Sequence, residues 1–413
     1  MIPFEEARRF VLAACRPLSP VRVPLSIAFG RVLADRVVTT EAVPPFDNTG
    51  MDGFAVLATD TTDASPETPV SLAVVGTVAA GQAATVALEP GQAYRIMTGA
   101  PIPPGADSVV MVEHTSTIDG GGVVLVEESV APGNHVRSAG DDLAVGREVF
   151  ARGDVVTAGH LGVLASIGLA GISVVPQARV GVVSTGDELV SGGGPLRPGQ
   201  IRDSNRLALL ALLEQLGCEA VDLGLVRDDE TAIERAIIDG TESCDALLTS
   251  GGVSMGDFDY VKVVLDRLGE MRWMQVAIRP AKPLAFGVVT ASGRRPVPVF
   301  GLPGNPVSSM VSFELFARPG LRQLMGFPAG DLDRTRIEAT ALEPFRRHRD
   351  GKIHFVRVVC SWAPTDARYE VRSAGAQGSH QLTAMAGANG LAVLTDGEGV
   401  DGGDRVPVML LGP

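Results

Sequence analysis

Glycine loops recur between Val180 and Phe316, most clearly in VGVVSTGDEL (180–189), ALLTSGGVSMGDFD (246–259) and VPVFGLPGNPVSSMVSFELF (297–316), and carboxylates gather in the first two. Each segment ends a short apolar run in a glycine turn and leads toward a periodic apolar stretch. That is the pattern of a buried strand followed by a helix. In an open parallel sheet, ligands bind beyond the carboxyl ends of the strands. Glycines there let backbone N–H groups approach an anion, and a helix N-terminus adds partial positive charge. Asp187, Glu188, Asp257 and Asp259 would repel that anion. A divalent cation, Mg2+, between the carboxylates and a phosphate removes the conflict and points to phosphoryl or nucleotidyl chemistry.

Several of these residues also have plainer readings. Asp257 and Asp259 precede VKVVLDRLG and would serve as ordinary helix caps. Asp228 ends the apolar run EAVDLGLV, and Asp229 beside it is the better cap of the helix that follows. Ser254 lies in Gly252-Val253-Ser254-Met255-Gly256, a formal nucleophile elbow, with His348, His354 and His380 available as bases. Carboxylates at 257 and 259 oppose an oxyanion there, so Ser254 reads instead as a hydroxyl that hydrogen-bonds an anion. Gly304, Asn305 and Ser308 follow Pro303 at a strand-to-helix turn, either simple helix initiation or an anion nest. Arg279 and Lys282 stand in the proline-stiffened loop QVAIRPAKPLAFG (275–287), and Lys282 is one of just three lysines. Asp52, in Met51-Asp52-Gly53-Phe54, carries a turn signal.

The elements that position these residues follow from the pattern of apolar positions. Residues 3–15 and about 26–34 read as short amphipathic helices, and from Val37 to Phe150 short β-like runs alternate with Gly/Pro turns. Arg179 to Gly326 alternates strands and helices, which predicts a three-layer α/β domain with a mostly parallel sheet. Within it, AFGVV (285–289) and VPVFG (297–301) read as a hairpin at the sheet edge. Past Asp331 the pattern is β again, a small barrel or sandwich. The fold class is therefore α/β plus all-β in an elongated multidomain chain. Its expected parts are 1–36 with 137–178 as a helical linking domain, 37–136 as a β-rich domain, 179–326 as the α/β domain and 327–413 as a β-barrel.

Composition narrows the function classes. A chain of 413 residues with net charge −13 lacks the basic face that non-specific nucleic-acid binding requires. No lysine follows Walker A glycines, so a P-loop is excluded. The four cysteines are widely spaced without a CxxC pair, which fits a reducing cytoplasm rather than a disulfide or structural zinc framework. The start MIPFEEARRF has acids where a signal peptide needs bases. The stretch 158–175 is long and apolar, but its glycines and His160 read as a short helix plus a strand, so a soluble cytoplasmic protein without a membrane span is expected.

PPFDNTGMDGFAV (44–56), RIMTGAPIPPGADSVVMVE (95–113) and RSAGDDLAVG (137–146) resemble the N-terminal motifs of the molybdopterin molybdenumtransferases, the bacterial MoeA and gephyrin E-domain family. STGDELV, GQIRDSN (199–205), TSGGVSMGDFDYV (249–261) and FGLPGNPVSS (300–309) resemble its central, molybdopterin-binding domain, and SHQLTAMAGANGLAVL (379–394) its C-terminal domain. The resemblance implies a homodimer whose cleft lies between the central domain of one subunit and the β-rich domain of the other. It implies Mg2+-assisted insertion of molybdate into adenylyl-molybdopterin with release of AMP. Asp52, Glu188, Asp228, Asp259 and Lys282 would be catalytic, and Asp187, Glu188, Asp257 and Asp259 metal ligands. Thr98, Arg137, Asp142, Gly251, Gly252, Ser254, Arg279, Pro303, Gly304, Asn305 and Ser308 would bind substrate, although Arg137 and Asp142 also read as a structural ion pair. The basic loop departs from the family's common form at Gln275, Arg279 and Ala281, the last in place of glycine. Expected partners are a second copy and cofactor-pathway proteins such as a molybdopterin adenylyltransferase. A stand-alone adenylyltransferase would match the central domain only, and a gephyrin-like scaffold would carry a linker and an extra domain. The serine-hydrolase alternative has a direct check: a fluorophosphonate probe should leave Ser254 unlabelled, and stoichiometric labelling there would restore it.

Overall fold

The structure, a computed structural model, describes residues 1–252, 260–290 and 295–412; Ser254, Asp257 and Asp259 lie outside the described residues. The chain opens with helix α1, Phe4–Ala14, which buries Phe4, Ala7 and Val11 along one stripe. The second helix expected near 26–34 does not form. Leu25–Ile27 makes a single 3-10 turn and Val32–Leu33 a short strand, because Gly30 at φ 73° ends any helix there.

The β-rich region is a six-stranded sheet in the order Ser108–Met111, Gly53–Val56, Gln92–Ile96, Val70–Val78, Val123–Val126, Thr115–Ile118. Its core is built on Phe54, Val56, Leu72, Val110 and Val124. The apolar stretch 158–175 resolves, as expected, into helix α2, Ala158–Ser166, and the strand Gly171–Val175. That strand is sandwiched between Val21–Pro24 and Val32–Leu33. Among the described residues no helix is long and apolar enough to cross a membrane.

The central sheet consists of β1 (Arg179–Thr185), β2 (Glu219–Val226), β3 (Ala246–Ser250), β4 (Gly269–Gln275), β5 (Pro283–Val289) and β6 (Val297–Leu302). Their order is β2-β1-β3-β6-β5-β4. β2, β1, β3 and β6 run parallel, and β5 and β4 complete the sheet antiparallel. β3 and β6 are buried at every residue, as strands covered on both faces must be. The hairpin of β5 with β6 forms, but it is internal: β4, with alternating exposure, takes the edge that the sequence had given to the hairpin. Helices α3 (Asn205–Leu216), α4 (Glu230–Ser243), α5 (Tyr260–Leu268), α6 (Pro306–Ser312) and α7 (Arg318–Leu324) surround the sheet. Val180, Val182 and Leu248 face α1, α3 and α6, whereas Val183, Leu247 and Val299 face α4 and α5. The period-two alternation of the strands thus makes the three layers.

Past the central sheet, Ile353–Ala363 pairs with Arg368–Ser373 and also with Gly390–Leu394. Arg336–Ala341 and Arg405–Leu410 complete the ring, so the expected barrel is a closed one. It is not isolated: Phe4 of α1 stacks edge-on against Phe316 and Phe355, at 5.6 and 6.0 Å between centroids. One core therefore joins α1, the central domain and the barrel.

Gly53, next to Asp52, lies between two paired strands, and a Cβ there would sit 2.0 Å from the carbonyl oxygen of Val110. Gly53→Ala should force those strands apart and cost about 2–4 kcal/mol, seen as a lowered urea midpoint; an unchanged midpoint would contradict this packing.

Candidate active site

Parallel strands in register deliver their loops to one edge. Ser184 of β1 lies beside Ser250 of β3, and Ser250 beside Leu302 of β6. The loops that follow enclose a hollow of about 780 Å³. Of the residues expected to act, Glu188, Asp228, Gly251, Gly252, Pro303, Gly304 and Asn305 line it together. Gly251 adopts φ 95°, and a Cβ would stand 3.0 Å from the Thr185 carbonyl oxygen, so the backbone of β3 turns close against β1 only with glycine.

The loops are tied by groups that sequence reasoning quoted but did not assign. The Asn205 amide donates to Ser250 Oγ and to the Gly304 carbonyl oxygen, both at 2.8 Å, joining α3, β3 and the turn before α6. Asp203 accepts from Ser184 Oγ at 3.1 Å and from Arg206 Nε at 2.9 Å. Arg206 also donates to Asp222 at 2.6 Å and to Ser191 at 2.9 Å. Burial opposes the charge on Arg206, but its bonds to Asp203 and Asp222 outweigh that and raise its pKa. Of these residues only Asp203 and Asn205 lie in GQIRDSN, which the sequence marked by resemblance without giving either a role. Ser204 at the cap makes no side-chain cap bond, and Asp203 accepts from the Arg206 N–H instead, at 3.2 Å.

The remaining carboxylates have no cationic partner among the described residues. Glu188 folds back over Gly186, its carboxylate filling the space a Cβ would take. Asp187 and Asp228 each accept from the other's backbone N–H, at 3.3 and 3.4 Å, which locks the β1 and β2 loops together. Asp187 itself is exposed and does not line the hollow. Among the described residues no three acidic, histidine or cysteine side chains converge as a metal cage. Mg2+ is commonly held by one or two carboxylates, with phosphate and water completing its shell, and Glu188 and Asp228 meet that demand as hard oxygen donors. On the wall beside them, Arg202 keeps a buried Nη1 without a partner, a donor available to an anion.

Other expected residues lie elsewhere. Ser308 is buried on the inner side of α6 and does not reach the hollow; two residues past Pro306 the helix has turned it into the core. The basic loop is pinned to the barrel, with Ile278 beside Ile353 and Arg279 beside His354. Arg279 consequently lines a second hollow of about 570 Å³, with Arg346, His348, Ser373 and Gln377. Lys282 is exposed and lines neither hollow, although Pro283 reaches the first. Arg279 and Lys282 thus do not converge on the glycine loops within one chain. Ala281 between them is buried at φ 72°, a left-handed conformation that glycine adopts more readily than alanine. Beneath Arg279, burial favours neutral Asp350, but bonds from His354 and Lys352 hold its carboxyl down at about 2.

In the β-rich region Asp52 Oδ1 accepts from the Thr98 N–H at 2.6 Å and from its hydroxyl at 2.7 Å. These bonds, the backbone one first, hold the Asp52 carboxyl below its ordinary range. Asp52 and Thr98 therefore act as a pair rather than as an isolated turn residue. Arg137 lies across Gly50 and forms no ion pair with Asp142, whose carbonyl oxygen accepts from Arg147. The plain structural reading of Arg137 and Asp142 is thereby set aside. None of these four residues lines either hollow.

Comparison with known proteins agrees with this arrangement along the chain. Three family models match: the MoeA N-terminal region (domain I and II) over 2–168, a probable molybdopterin binding domain over 181–323, and the MoeA C-terminal region (domain IV) over 338–411. Molybdopterin molybdenumtransferase 2 of Mycobacterium tuberculosis is 39% identical over 406 residues, covering 94% of each chain. The molybdopterin molybdenumtransferase of Haemophilus influenzae is 36% identical over 410 residues, 99% of this chain and 98% of its own. The crystal structure of the molybdopterin biosynthesis MoeA protein from Pyrococcus horikosii superposes with a TM-score of 0.82 at 31% identity over the whole of both chains. With the glycine loops of its central sheet, its β-rich N-terminal region and its closed C-terminal barrel, the chain belongs to the molybdopterin molybdenumtransferase (MoeA) family of molybdenum cofactor biosynthesis.

Proposed function

We propose that the chain inserts molybdate into adenylylated molybdopterin and releases AMP, working as a Mg2+-assisted homodimer. The observation that carries this reading is the hollow at the carboxyl edge of β1, β3 and β6, where glycine turns, Asn205 and two unpaired carboxylates meet. Its 780 Å³ suits a nucleotide-sized ligand. Glu188 and Asp228 would hold Mg2+, which when bound neutralises phosphate charge. Asp187, Asp257 and Asp259 remain proposed further ligands, and Ser254 a proposed hydroxyl donor to the anion. The backbone at Gly251, Gly252, Gly304 and Asn305 lies along the anion's path, with Arg202 adding a donor.

Molybdate is a doubly charged tetrahedral oxyanion and needs local cations. Lys282 and Arg279 supply them, and Arg279 already shares its hollow with Arg346 and His348. Orientation and charge neutralisation provide the catalysis, and no protein nucleophile is required. Asp52, Thr98, Arg137 and Asp142 line neither the glycine-loop hollow nor the one at Arg279. That supports a cleft completed by the β-rich region of a second copy, with the Asp52 carboxylate ionised and fixed by Thr98.

Purified protein should release AMP from adenylyl-molybdopterin only when molybdate or tungstate is present, and Lys282→Ala should lower that rate at least about tenfold. No AMP under any metal condition would reject the reaction. Asn205→Ala should leave the fold intact at a cost of about 1–3 kcal/mol yet depress turnover more than substrate affinity. A stable variant with normal turnover would show that the tie between Ser250 and Gly304 does not matter. Mixing Asp52→Asn and Lys282→Ala proteins, each impaired alone, should raise activity to about a quarter of wild type, because half of the dimers then carry one intact cleft. If the mixture is no more active than the variants alone while each still dimerises, the shared-cleft reading fails.

A further inference from the structure

Away from both hollows described above, α1, α7 and the segment entering the barrel enclose a third, of about 650 Å³, that shares no lining residue with the glycine-loop hollow. Five arginines reach it, Arg8, Arg318, Arg322, Arg334 and Arg336, in a chain whose net charge is −13. Two of them are already satisfied. Arg8 pairs with Asp333 at 2.8 Å, and Arg334 clasps Glu314 at 3.0 and 3.1 Å. Arg318 is not: it is 8% exposed, its Nε has no hydrogen-bond partner, and the nearest carboxylate oxygen, on Glu314, is 3.9 Å away and already held by Arg334.

A buried guanidinium nitrogen without an acceptor is costly, and such a group in a folded protein calls for a missing partner. Burial pulls Arg318 down to about 10; Glu314 opposes that in part, while the neighbouring Arg334 and Arg322 add to it. Two further guanidiniums face the same space. Arg322 lies flat over Phe327 at 3.7 Å and gives Nε to the Asp331 carbonyl oxygen. Arg336 is exposed and makes no ion pair among the described residues. Glu5 and Asp331 also line the hollow, so a weak monoanion would gain little there, whereas a doubly charged group matched to planar donor forks would. The turn that sets Glu314 and Arg318 is π-helical, Phe313–Ala317, a form that recurs at functional sites.

We propose that this arginine-lined hollow is a binding site for a phosphoryl dianion, held by Arg318, Arg322 and Arg336 and bridging α1, α7 and the barrel. The ligand is either free phosphate or the phosphate of a nucleotide, and the hollow is large enough for both. The site does not depend on the proposed reaction.

The test is thermal unfolding of the full chain titrated with inorganic phosphate and, separately, with AMP, against sodium chloride at matched ionic strength. A saturable rise in Tm is expected with at least one of the two, shifted to at least tenfold higher ligand concentration in Arg318→Gln and in Arg336→Gln. Saturation by phosphate alone identifies the free anion as the source, and tighter binding of AMP identifies a nucleotide. Arg336 is exposed, so its variant keeps the test open if Arg318→Gln does not fold. The inference is overturned if neither ligand gives a saturable rise, or if the rise is unchanged in the variants, which would place binding at the glycine loops instead.

Discussion

Parallel pairing of β1, β3 and β6 is the constraint on which the rest of the site depends. Strands that run the same way and stay in register must leave the sheet at the same edge, so their loops meet without any further device. What the pairing does not fix is the spacing between those loops. Asn205 does that, giving one amide to both Ser250 and Gly304 from the first turn of α3. Because its two acceptors belong to different loops, the helix, the central strand and the turn before α6 move as one.

The same neighbourhood sorts its carboxylates by their partners. Asp203 is neutralised by Arg206, which is also bound by Asp222, so these charges form a closed structural set. Asp187 and Asp228 hold each other's backbone, which fixes the loops while leaving most of their oxygen lone pairs open. Glu188 and Asp228 are left facing the hollow without an ion pair among the described residues, although Arg202 lines the same wall. Two carboxylates without an ion pair beside glycine turns are the charge pattern on which the proposed cation rests. The cationic loop at Arg279 and Lys282 is held off against the barrel and does not pair with them within the chain.

A single core explains why that loop is held so firmly. Phe4 from the N-terminal helix packs between Phe316 of the central domain and Phe355 of the barrel. The segment from Ile278 to Ala281 runs through the same apolar cluster, and the chain tolerates an L-residue in left-handed geometry at Ala281 to keep it there. A methyl group buried there offsets part of the conformational cost, each being of the order of 1 kcal/mol.

The sequence by itself determined the class of fold, because apolar runs of strand length and helical period leave few other solutions. It also marked the glycine loops, since glycine turns at strand ends carry their own local signal, and Asp229 as the cap of α4, which the Ala232 N–H confirms at 2.8 Å. It misread residues 26–34, where Gly30 in the left-handed region interrupts the periodic pattern and a helix does not form. It placed the β5–β6 hairpin at the edge because β4 carries an alternating, half-exposed pattern that a chain read locally does not distinguish from loop. Ser308 read as a site residue because spacing gives no helix phase across a proline turn. Only the tertiary structure decided which residues of GQIRDSN tie the loops, that Arg279 faces the barrel, and that Asp52 and Thr98 act together away from both the glycine-loop hollow and the one at Arg279. Those relations join residues from 19 to 99 positions apart, and local propensity carries no information over such distances.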